Sequence, residues 1–187
     1  MKLMVALTFV SQFFFQAHYQ LWQGLFLSKG FNKKHFYLIY IVFQLISFVA
    51  YGINLEKCKL SSTKHVSKLC CCFGIIMLVC TLFLNVFNSV WFVLGYLILV
   101  FSFTFLEYYC SVLFSSLVSL ERISSLTSLR SSIGRIASII SMCLSSLLLL
   151  KFNALETVTI NFVLAIVFSG LIIVSIVKEI TNNKLEQ

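Results

Sequence analysis

Residues 157–177 read TVTINFVLAIVFSGLIIVSIV, and none of them carries a charge. A helix needs about 20 mostly apolar residues to cross the hydrocarbon core of a bilayer. This run supplies them, and residues 35–53, HFYLIYIVFQLISFVAYGI, supply a second set. Strands of a membrane barrel would alternate in polarity over pieces of about ten residues. Neither run alternates. Measured the same way, the rest of the chain yields four more segments. The expected spans are 3–27, 35–55, 69–87, 90–118, 131–150 and 157–178. Residues 1–187 then form one all-α polytopic membrane domain of six transmembrane helices. Only NVFNS divides the third span from the fourth, with Asn85 and Asn88 marking a tight hairpin.

Composition supports the same class. Hydrophobic types make up 60% of the chain, charged types 11%, and the mean hydropathy is +1.01. Soluble domains carry about 25% charged residues, so this chain cannot coat a globular core. The formal net charge is +8. The basic residues fall between apolar runs, as membrane topology requires, and no basic face with interleaved aromatics is left for nucleic acid. With six spans both termini share a side. That side holds Lys2, Lys57, Lys59, Lys64, Lys68, Arg122, Arg130, Arg135, Lys178 and Lys184. The other holds only Lys29, Lys33, Lys34 and Lys151. Both ends are therefore expected in the cytoplasm, with the chain in the cell (inner) membrane. The start, MKLMVALTFV, has the composition of a signal peptide, but no small-x-small cleavage site closes it. It is expected to be retained as the first span.

The cysteines add little chemistry. Cys70, Cys71 and Cys72 follow Lys68 at a helix start. They read either as small apolar side chains entering the bilayer or as a juxtamembrane S-acylation site. Cys58 and His65 share a loop, but no spacing completes a metal site. No metal or cofactor is expected. Paired carboxylates, zinc-helix patterns and nucleophile elbows are missing, so no enzyme is expected either.

Polar residues within the spans are more informative. On a helix, Gln12, Gln16, Tyr19, Gln20 and Gln23 fall within about a quarter-turn, while His18 points elsewhere. In the fourth span Thr104, Glu107, Tyr108 and Ser111 share a face of similar width. Glu107 is the one acid deep within a span. Such a carboxylate is costly unless paired, hydrated or protonated, which makes it a site candidate. Glu107 and His18 are the proton-coupling candidates. The fifth span carries a stripe of small residues, Ser131, Gly134, Ser138, Ser141 and Ser145, which lets helix backbones approach closely. Two readings of the polar faces stay open. They can hydrogen-bond neighbouring helices, with His18 or a tyrosine hydroxyl as partner for Glu107, or they can line a shared aqueous cavity.

The loops add a family resemblance. YGINLEKCK, after the second span, resembles the Gly-x-x-x-Asp-Arg/Lys-x-Gly signature of the major facilitator superfamily, with Gly52, Glu56 and Lys57 at the glycine, acid and base places and Lys59 at the second glycine. After the fourth span, Arg122-Ile123-Ser124 is similar to the arginine, small residue and serine in the C-terminal half of such transporters. The likeness implies six helices equivalent to the second half of a twelve-helix transporter. It also implies that the first and fourth spans line the central path. The expected function is thus a half-length facilitator-type protein in solute transport, possible proton coupling included. The bilayer and a small-molecule solute are the expected partners, together with a second copy or a separate N-terminal half. The alternative is a non-transporting membrane partner, such as an immunity protein against a toxin or a regulatory subunit.

Overall fold

The computed structural model describes residues 2–54, 63–86, 88–117 and 120–185. Six α-helices follow one another: α1 (Lys2–Ser28), α2 (Phe36–Gly52), α3 (Thr63–Phe83), α4 (Ser89–Leu117), α5 (Leu120–Leu149) and α6 (Ala154–Leu185). No strand occurs among the described residues. Four helical stretches are long and apolar enough to cross a membrane: 33–52, 90–109, 124–149 and 154–175. The described apolar part of α3, Cys71–Phe83, is shorter, and the glutamines of α1 keep it off the apolar set.

Helix ends follow local chemistry. Ser28 and Lys29 lead into Gly30, whose φ of 84° lies in the left-handed region. There the Gly30 amide donates to the Leu27 carbonyl (3.0 Å) and the Phe31 amide to that of Phe26 (3.0 Å). This is a Schellman close, and the rings of Phe26 and Phe31 meet at 5.2 Å to seal it. The Lys29 amine donates to the Asn85 carbonyl (3.1 Å) and sits 5.4 Å over Phe92, so the two hairpin turns touch. Partial burial there pushes the Lys29 amine below the usual lysine range. At the start of α6, Asn153 and Glu156 form a reciprocal capping box, at 2.9 and 3.0 Å.

One expectation fails at α5. The sequence reading placed a loop up to residue 130. Helix α5 instead begins at Leu120, so Arg122, Arg130 and Arg135 are helical. The stretch ERISSLTSLRSSI contains neither proline nor glycine, and serine spaced among leucines does not stop a helix whose neighbours pack against it.

The packing is interleaved. Helix α1 packs mainly on α6 and α5; α4 packs mainly on α3 and α2; α3 packs on α6; and α1 touches α4. Exchanging α1 with α4, α2 with α5 and α3 with α6 maps these principal contacts onto one another, while the smaller contact between α5 and α6 has no counterpart of its size. At the centre of the packing Phe14 of α1 stacks on Phe103 of α4 (4.0 Å, 9°) and tilts against Phe162 of α6 (4.4 Å). All three rings are buried. Removing such a ring leaves a cavity that costs about 3–5 kcal/mol.

Candidate functional site

The polar site gathers where α1, α4 and α5 meet. Arg130, one turn from the small-residue stripe of α5, reaches across to both other helices. Its Nε donates to Thr8 Oγ1 on α1 (2.8 Å) and its Nη2 to Ser111 Oγ on α4 (2.8 Å). Ser111 in turn donates to the Glu107 carbonyl (2.8 Å). The Glu107 carboxylate lies 3.9 Å from Nη2, with 20% of its side chain and 24% of that of Arg130 exposed. At that distance the two attract as charges without a direct hydrogen bond. Tyr19 and Tyr51 stand within electrostatic reach of Glu107. Tyr51 meets Tyr108 edge to face at 5.4 Å.

A cavity of about 30 Å³ adjoins the charge pair, bounded by Thr8, Ser11, Glu107, Arg130 and Ser169. This is room for a single water. Ser11 donates to the Thr8 carbonyl (3.0 Å), and the buried Ser169 hydroxyl has no partner among the described residues. A second cavity, of about 10 Å³, is bounded by His18, Tyr19, Tyr40, Gln44, Ser47 and Thr104. The buried Thr104 hydroxyl also has no partner among the described residues.

The predicted residues separate into groups. Glu107 and Ser111 meet Arg130, Tyr108 lies against Tyr51, and Tyr19 is within electrostatic reach of Glu107. The glutamine stripe divides. Gln12 lies against Gly134, and its Oε1 accepts from Ser138 Oγ (3.3 Å). A Cβ at Gly134 would sit 3.7 Å from the Gln12 Cγ, so the small stripe seats this amide. Gln16 is half-buried, while Gln20 and Gln23 are exposed. His18 is buried among aromatics, and its Nδ1 pairs with Tyr96 OH at 3.0 Å. Its place is the aromatic core beside Phe14 and Phe43. Of the loop motif, Gly52 is exposed at the end of α2, whereas Glu56 and Lys57 lie outside the described residues, as does the Arg122 side chain.

Arg130, Thr8, Ser11 and Tyr51 were absent from the sequence candidates. Arg130 was counted as a loop base because the fifth span was started one residue too late to include it. The available signal was the unbroken run from 120, which puts Arg130 on a helix.

The fold and composition define an integral, all-helical membrane protein. No family model matches the chain, and no curated protein or solved structure matches it either.

Proposed function

We propose that this chain is one six-helix half of a facilitator-type transporter that moves a small polar solute, with a second half closing on the face formed by α1 and α4. The observation that carries this reading is the Glu107–Arg130 pair, still partly exposed and within electrostatic reach of Tyr19 and Tyr51, in a chain whose exterior is mostly apolar. A charge pair facing acyl chains would be costly. One facing a polar solute path would not. The pair is loosely held, so a proton on Glu107 or a solute group at Arg130 can change its partners. The exchange pattern of the helices supports the reading too. On this reading the chain holds two three-helix units of opposite direction, and many transporters build alternating access from such inverted units.

Thiol accessibility tests it, in a chain stripped of native cysteines. Gln20→Cys and Gln23→Cys should react in membranes with a charged, membrane-impermeant maleimide. Gln12→Cys, packed on α5, should be protected. Phe48→Cys, on the apolar exterior of α2 and 75% exposed, should be silent. If positions 20 and 23 are as silent as position 48, their face meets lipid and the transport reading fails.

A further inference from the structure

Outside the polar site an open groove of about 400 Å³ lies between α3 and α6. This is the size of a small-molecule site, about 300–1,000 Å³. Its walls include Ile75, Leu78, Ile166 and Val174, and Cys71 closes one end. The floor contains Gly74 and Gly170. Nothing lies within 4 Å of a Cβ at either, so the groove is open because both residues lack side chains.

The two helices run antiparallel, and the groove is lined from Cys71 to Leu78 on α3 and from Ile166 to Val174 on α6. In the sequence the apolar run of α3 starts at Leu69, directly after Lys68, and that of α6 ends at Val177, directly before Lys178. Lys68 stands three residues before Cys71 and Lys178 four residues after Val174, and both are exposed. Residues three and four apart share a helix face. Lys68 therefore continues the face of Cys71, and Lys178 continues that of Val174. Two cations flank the groove mouth at the depth where apolar helix gives way to polar chain.

We infer that the groove holds an anionic phospholipid, one acyl chain lying over Gly74 and Gly170 and the headgroup phosphate between Lys68 and Lys178. An acyl chain matches the walls, and the phosphate matches the charge at the mouth. Basic pockets between membrane helices on the cytoplasmic side take such headgroups. A docked apolar helix would satisfy the walls but leave the two lysines without a role. The inference depends on α3 and α6 lying in a bilayer and not on transport.

Native mass spectrometry of the full chain tests it. The protein is released from nanodiscs of equal phosphatidylglycerol and phosphatidylcholine with identical acyl chains. The wild type should retain phosphatidylglycerol over phosphatidylcholine by about tenfold or more, given the attraction that each lysine contributes near a phosphate. Lys68→Gln with Lys178→Gln should still retain lipid, but without preference. Gly170→Leu, whose Cβ would meet nothing within 4 Å, should retain several-fold less of both lipids. Cys71 alkylation should be slowed by phosphatidylglycerol in the wild type alone. Equal retention of both lipids by the wild type would overturn the inference. So would an unchanged preference in the double lysine variant, or full displacement by free glycerol phosphate.

Discussion

The Arg130 guanidinium donates to Thr8 on α1 and Ser111 on α4 from its seat on α5. One side chain thus ties three helices that are far apart in sequence. Removing one partner of a buried ion pair costs about 3–5 kcal/mol, and partial exposure of both groups here reduces this to about 1–3 kcal/mol. Arg130→Met should therefore destabilise the protein by that amount, and Glu107→Gln by less, because the hydroxyl contacts of Arg130 survive. The double variant should be less damaged than the sum, with a coupling of about 0.5–3 kcal/mol in a cycle measured by denaturant unfolding in mixed micelles. Strict additivity would show that the two charges do not sense each other. Sequence had singled out Glu107 as the lone intramembrane acid but could not supply its partner. Helical periodicity relates residues on one helix, whereas Arg130 lies 23 positions further along on another.

At the level of the helices, ends with strong local chemistry were legible and the rest less so. The stretch LSKGFNKKH carries two turn residues, Gly30 and Asn32, and the structure uses both. Asn32 caps the short helical turn at Lys33–His35 by accepting from the Lys34 amide (2.9 Å). Gly30→Ala should cost about 1–2 kcal/mol, since an L side chain at a φ of 84° is strained even where space is open. A thermal shift under half of that expected would mean the turn relaxes to another form. The start of α5 was not legible in this way. Serine is neutral enough to be helix or loop, and contact with α1 decides for helix. The split of the glutamine stripe was hidden for a related reason. All four amides share one face of α1, but α5 covers Gln12 and leaves Gln20 and Gln23 open.

For the whole molecule, the sequence conveyed the all-helical membrane class. It could not convey which helix neighbours which. The interleaving of the two three-helix units depends on contacts between α1 and α6 and between α4 and α2, which no spacing rule encodes. The proposed second half makes a stoichiometry prediction. Nanodiscs loaded with the purified chain should hold two copies, or one copy beside a different six-helix chain. Single copies alone, with no co-purifying partner, would count against it.

The interleaving also bears on the order in which the chain assembles. Helix α1 is synthesised first, yet its principal seats, α5 and α6, are synthesised last. Phe14 meets Phe162 only after all of the helices between them have been made. Until then a glutamine-bearing helix must be sheltered by the insertion machinery, lipid headgroups or a chaperone. A chain cut before residue 154 would strand that helix beside its unfinished cradle, leaving a ready substrate for membrane proteases.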